Sequence, residues 1–285
     1  MKKSKLLLIL SMIIWGSMGP FVRNIAVTSG ELALYRALMA STILTVYLLI
    51  TRQKIPFASI KKEIPLLLLS GVTMGFNWIL LFEAYKYTTV SVATLSYYFS
   101  PVIVTAICPL LFHEKLGKKQ ILCFVMSTLG IVLITGLGDV SQGNNHLVGI
   151  MFGLGAAVLY ATVVLINKFI KNVEGIHRTL LQFVAAVVVL IPYVGMTSGV
   201  NIELLDTTGW ICLLIVGLVH TGIAYCMYFS VIKEFKGQEV AILSYIDPLV
   251  AVAVSVVILG EVMSIWQVVG GAMILGFTLW NEIGK

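Results

Sequence analysis

The sequence predicts an all-α polytopic membrane protein, with ten transmembrane helices arranged as two inverted five-helix repeats. Three observations predict it. Hydrophobic residues make up 59% of the chain and charged residues only 11%, whereas a soluble domain runs at roughly 45–50% and 25%. The apolar residues fall into ten runs, each close to the ~20 residues that a helix needs to cross a ~30 Å hydrocarbon core. Lys and Arg crowd into alternate connectors between those runs.

The first run, 6–22, follows Lys2, Lys3 and Lys5 and offers no small-residue cleavage site, so it is expected to stay in place as a signal anchor. Runs at 32–50, 64–83, 90–112 and 120–136 complete a first set of five. Runs at 147–166, 179–197, 210–231, 239–259 and 265–281 form a second. None shows the two-residue alternation of a membrane β-strand, and no connector is long enough for a soluble domain. With the N-terminus placed inside, 16 of the 19 Lys and Arg residues fall on the inner side. Only Arg23 and Lys86 fall outside, and Arg36 lies within the second run. The positive-inside rule then puts both termini in the cytoplasm of a cell (inner) membrane.

The net charge of +6, distributed in this way, reads as membrane orientation and gives no reason to expect nucleic acid. Cys108, Cys123, Cys212 and Cys226 lie inside apolar runs without ligand spacing, so neither a disulfide framework nor a metal site is expected. No Walker-type loop is present and no cofactor is expected.

An internal repeat supports the division into 1–137 and 147–285. Leu95-Ser96-Tyr97-Tyr98-Phe99-Ser100-Pro101 matches Ile242-Leu243-Ser244-Tyr245-Ile246-Asp247-Pro248, and the interval from Pro101 to Glu114 equals that from Pro248 to Glu261. Five helices per repeat is an odd number, so the second repeat must cross in the opposite sense. The lysines after Glu114 agree, because they have no counterpart after Glu261. Inverted repeats with a site near mid-membrane are a recurrent transporter design.

Ionisable groups near the bilayer centre cost about 2.5–3.5 kcal/mol on insertion scales, so each needs a partner, a cavity or a function. Asp247, before Pro248 in the ninth run, reads either as a substrate-ammonium or proton site or as structural glue. His220 in the eighth run reads as a proton-coupling group or as an interhelical hydrogen-bond partner. Asn77, Trp78, Tyr97, Tyr98, Tyr225 and Tyr245 stand at mid-depth, where they suit the walls of a substrate pathway or ordinary aromatic packing. Arg36 and Glu83 have matching depths near the outer boundary, and an ion pair between them is expected, as a gate or as structure. Pro101 and Pro248 occupy equivalent places and are expected to act as paired hinges or as static kinks.

The chain resembles the EamA family of the drug/metabolite transporter superfamily over nearly its whole length. The resemblance is carried by Trp15-Gly16-Ser17, Tyr35-Arg36-Ala37-Leu38-Met39-Ala40 and the two Pro-to-Glu segments, Pro101–Glu114 and Pro248–Glu261. The second half has no arginine in register with Arg36. The resemblance implies two inverted repeats around a central cavity and secondary transport, often export of amino acids or related metabolites. The expected partners are a small-molecule substrate, the lipid bilayer and protons as a coupling ion, with the chain as a monomer or homodimer. Rival readings are a receptor or scaffold and an intramembrane enzyme. The latter has little to draw on, since His113, His146, His177 and His220 lie in separate segments.

Overall fold

The computed structural model describes residues 2–53, 55, 60–112, 117–136, 143–173, 175–235 and 237–283, and among these every regular element is helical. Helix α1 comprises Lys2–Gly16 and Met18–Arg23, α2 is Ser29–Ile50 and α3 is Ile64–Tyr87. Helix α4 comprises Val90–Tyr97 and Ser100–Phe112, and α5 is Lys118–Gly136. Helix α6 is Gly143–Phe169 and α7 is Gly175–Thr197. Helix α8 runs through Thr207–Leu214, Ile215–Ile223 and Ala224–Val231. Helix α9 comprises Gly237–Ser244 and Ile246–Val257, and α10 is Ile265–Glu282. Each apolar run is therefore helical. Among the described residues, length and hydropathy alone qualify 7 segments to cross a membrane, with Ile242–Val257 as a shorter apolar helix. Glu114 and most of the connector expected at 138–146 lie outside the described residues.

Local sequence explains where helices start. Thr28 and Glu31 form a capping box at the head of α2, and Ser264 and Gln267 form another at the head of α10. In each, the cap hydroxyl accepts from the third backbone N–H while the acidic or amide side chain reaches back. Asp206 caps α8 through the N–H of Gly209 at 2.7 Å.

Proline accompanies the breaks in three helices, while Pro192 sits inside the unbroken α7. A proline inside a helix has no N–H to offer the carbonyl four residues earlier, and its ring crowds that carbonyl. Pro20, Pro101 and Pro248 each stand four positions beyond a helix end, at Gly16, Tyr97 and Ser244. Three of the rods are thus split at one offset from a proline. Helix α8 is irregular in another way: Ile215–Ile223 is wound as a π-helix, a rare form that occurs mostly as short insertions in α-helices, frequently at functional sites.

Packing interleaves the two sets of five. Helix α3 lies on α6 as α8 lies on α1, and α4 lies on α6 as α9 lies on α1. Helix α7 touches α3 as α2 touches α8, while α2–α7 and α5–α10 are mutual pairs. The pattern survives exchanging each of the first five helices for its counterpart five places on. The central core gathers Leu44, Trp78, Phe82, Phe183 and Leu190. Leu49, Leu110, Val188, Val257 and Val262 remain exposed on the outside, as suits a surface solvated by lipid.

Candidate functional site

The broken and π-wound stretches converge. Gly16, at the α1 break, lies against the Asp247 carbonyl and Val250 of α9. From the α4 break, the Tyr98 hydroxyl donates to Asp247 Oδ2 at 2.6 Å. From the π-helical turn of α8, His220 Nε2 meets the Ser17 hydroxyl at 3.2 Å, again at the α1 break. Irregular backbone at membrane depth is tolerated where it is enclosed by protein or lines a cavity, and four such stretches meet here.

Aromatic rings surround the meeting point. Trp15 contacts Tyr225 and Tyr228, with ring centroids 5.0 and 5.3 Å apart. Tyr225 continues to Phe183 at 5.3 Å, and Phe183 to Trp78 at 5.2 Å. On the other side Tyr97 meets Tyr98 at 5.8 Å and Tyr160 of α6 at 5.4 Å. Phe21 covers His220 at 5.0 Å. The result is an aromatic cage whose polar contents are Asp247, His220 and Arg36.

The hydrogen bonds of His220 leave a choice of proton positions. Its Nδ1 is 3.2 Å from the Ile215 carbonyl, which only accepts. Ser17 is placed to donate its hydroxyl to Ile14 O at 2.8 Å or to face His220 Nε2. When Ser17 donates to Nε2, the imidazole is satisfied as the neutral Nδ1–H tautomer. When Ser17 donates to Ile14, both ring nitrogens find acceptors and the charged imidazolium is satisfied. One hydroxyl rotation separates the two arrangements.

Other candidates fall differently. Asn77 is buried at the α3–α6 contact, where its Nδ2 donates to Ala156 O at 2.6 Å, and it joins the two halves. Tyr245 stands apart from the cage, turned toward Thr278 of α10. Pro101 and Pro248 sit just past the breaks that they accompany.

The expected pair of Arg36 and Glu83 does not form. Arg36 Nε donates to Thr221 Oγ1 of α8 at 2.8 Å, and the guanidinium lies over Trp78 at 4.6 Å. Glu83 instead pairs with Lys86 at 3.1 Å on the same helix. Matching depth is not enough to make a pair. Successive helix residues point about 100° apart, so α3 presents Trp78 and Phe82 to Arg36 and turns Glu83 away.

The ion pair that ties an end of the bundle is Arg23–Glu261. Gly260 has φ +65°, a left-handed turn that glycine adopts without a Cβ penalty, and this folds Glu261 back beneath α9. Its carboxylate accepts from Val90 N at 2.9 and 3.1 Å and from the Ser255 hydroxyl. Arg23 also donates to Thr88 O at 2.7 Å. The opposite end carries a second carboxylate clamp, in which Glu63 accepts from Lys171 N and Asn172 N at 2.9 and 3.1 Å.

Two cavities flank the cage. One, about 350 Å³, opens near Arg23 and Lys86 and reaches Phe82 and Tyr85. The other, about 560 Å³, lies toward Gln120, Lys168 and Glu282 and ends at Pro101 and Tyr160. Tyr160 is the ring that touches Tyr97, and Phe82 is 5.8 Å from the Arg36 guanidinium. Each cavity therefore ends at a ring that adjoins the cage.

Sequence reasoning missed Ser17, Tyr160, Phe183 and the Arg23–Glu261 pair as site features. Pro20 was the readable signal for the first, by the same four-residue offset as Pro101 and Pro248. The others follow from helix rotation and carried no local signal.

Comparison with known proteins places the chain in a family. The model of the EamA-like transporter family matches twice, over residues 2–136 and 147–281. A Bacillus subtilis (strain 168) protein named uncharacterized transporter YxxF is 29% identical over 282 residues, covering 98% of this chain and 90% of that one. A Salmonella typhimurium protein named "Probable amino-acid metabolite efflux pump" is 25% identical over 239 residues, covering 79% and 78%. A solved crystal structure superposes with a TM-score of 0.67 at 17% identity, over 97% of this chain and 96% of that one, and at that identity the likeness concerns the fold alone. Two ordered matches to one family's model, spanning nearly the whole sequence, make this chain a member of the EamA-like transporter family.

Proposed function

We propose that the chain is a secondary transporter that exports amino acids or related polar metabolites across the cell (inner) membrane by alternating access. All ten rods cross, as two five-helix repeats of opposite orientation, with both termini in the cytoplasm. The observation that carries this reading is the convergence of four irregular backbone stretches on an aromatic cage between two cavities. Discontinuous helices meeting at a repeat interface are the form that substrate sites take in many transporters. The relative named as an amino-acid metabolite efflux pump supports the substrate class.

In this mechanism substrate enters from the Lys168–Glu282 cavity, passes Tyr160 and Tyr97, and is held in the cage. Pro101 and Pro248 serve as hinges about which α4 and α9 bend. Breaking the Arg23–Glu261 tie opens the far end. Asp247 and His220 are the proton-carrying groups, and the Ser17 rotor accommodates His220 in either charge state.

The test is counterflow in proteoliposomes over a panel of amino acids and amines, with and without a pH gradient. Solute-specific exchange that a proton gradient accelerates is expected. Flux that is unchanged by the gradient and survives both Asp247→Asn and His220→Gln would remove the coupling assignment. Labelling of cysteines introduced at Lys118 and Ser264 tests the orientation, and modification of both from one side of the bilayer would refute the inverted repeat.

A further inference from the structure

Arg36 is 4% exposed and no described carboxylate pairs with it. Its Nε is satisfied by Thr221. The donors on Nη1 and Nη2 have no acceptor among the described residues. Asp247 lies within electrostatic reach but has its hydrogen bond from Tyr98. Thr221 is itself fixed by donating to Val216 O at 2.9 Å, across the π-helical turn. The guanidinium is thus held at one nitrogen by Thr221 and on one face by Trp78, and its outer fork is left unused. A buried charge without a counter-charge is costly unless something supplies one.

We infer that Arg36 anchors a carboxylate of the transported molecule, received through its unused pair of Nη donors in the aromatic cage. This rests on the transporter reading above. The geometry favours a carboxylate because guanidinium and carboxylate match as planar, two-bond partners. It favours a single negative charge because one guanidinium is available, with the Asp247 carboxyl near by. A phosphate dianion would bring more negative charge than Arg36 balances. The rest of the ligand packs on rings, so an apolar or aromatic body attached to the carboxylate fits the walls. The role expected from depth alone, a gate salt bridge to Glu83, is replaced by a recognition role.

The experiment uses the purified full chain in detergent micelles, with binding read by thermal shift and by tryptophan fluorescence, since Trp78 lies beneath the guanidinium. The probes are phenylacetate, L-phenylalanine and phenethylamine, with isovalerate, leucine and isoamylamine as an aliphatic set and inorganic phosphate as a separate arm. Members with a carboxylate should bind, the two amines should not, and phosphate should not. Loss of one charge-assisted pair predicts an affinity about ten- to hundredfold weaker in Arg36→Gln. Arg36→Lys, which keeps the charge without the planar fork, should fall between. If Arg36→Gln fails to fold, the wild-type ligand series and the lysine variant decide the matter.

Equal binding of carboxylates and amines overturns the inference, as does binding of phosphate in preference, or no binding of any carboxylate. Counterflow run in parallel separates this from the transporter reading. Flux that does not depend on a carboxylate leaves transport standing and removes the anchor. Carboxylate binding through Arg36 without flux does the reverse.

Discussion

The breaks in α4 and α9 arise from one motif used twice, and the two copies do different work. Each break lies four residues before a proline, and each follows a tyrosine-bearing segment at the same repeat offset. Yet Tyr98 reaches across to Asp247, while its counterpart Tyr245 turns to Thr278 on α10. The position equivalent to Asp247 is Ser100, which lines the larger cavity. Supports differ as well: the α9 break rests on Gly16 through the Asp247 carbonyl, whereas the α4 break rests on Gly153 through Ser96 Cβ. Duplication thus preserved the break before the proline in both copies and left the polar lining one-sided. The junction of the broken helices is left with a single acidic group, Asp247.

The comparison is open to test. The largest effect is expected from Asp247→Asn, which keeps side-chain volume and removes the ionisable group. Proton-driven flux in proteoliposomes should fall to background, while Ser100→Ala at the equivalent place leaves flux intact. Next comes Tyr98→Phe, which deletes a hydrogen bond to a charged group worth about 1.5–3 kcal/mol, and substrate affinity measured by counterflow should weaken at least about tenfold. Gly16→Ala follows, because the added methyl collides with backbone at the Asp247 carbonyl. Overpacking of this kind costs about 1–3 kcal/mol, and the melting temperature in detergent should drop. Gly153→Ala should cost less, since its nearest approach is 2.9 Å against 2.4 Å at Gly16. The smallest change is Tyr245→Phe, with ~1 kcal/mol or less of stability and no change in flux. Equal flux losses from Tyr98→Phe and Tyr245→Phe would mean that the two breaks are functionally equivalent after all.

Much of the fold was legible because it rests on properties of short segments. Apolar run length, the T-x-x-E and S-x-x-Q caps and the proline offsets act within a turn or two of chain, so reading them needs no neighbour. Asp247 and His220 stood out as candidates because polarity in an apolar run is visible without coordinates. Arg36 was visible too, but the partner assigned to it was wrong, since depth is a one-dimensional quantity and pairing also depends on rotation about the helix axis. The Arg23–Glu261 pair escaped notice because Arg23 ends α1 and Glu261 follows α9, far apart in sequence, and only the turn at Gly260 brings them together.

By itself, then, the sequence determined the helices, their breaks, their caps and the family, all of which follow from hydropathy, covalent geometry and order along the chain. The tertiary structure alone decided which faces meet: that Arg36 lies on Trp78 and Thr221 rather than beside Glu83, that Tyr98 and not Tyr245 serves Asp247, and that a π-helical turn delivers His220 to Ser17. The physical reason is angular. A rotation of about 100° per residue sends neighbouring side chains to different partners, and only the packing of one helix on another selects among them.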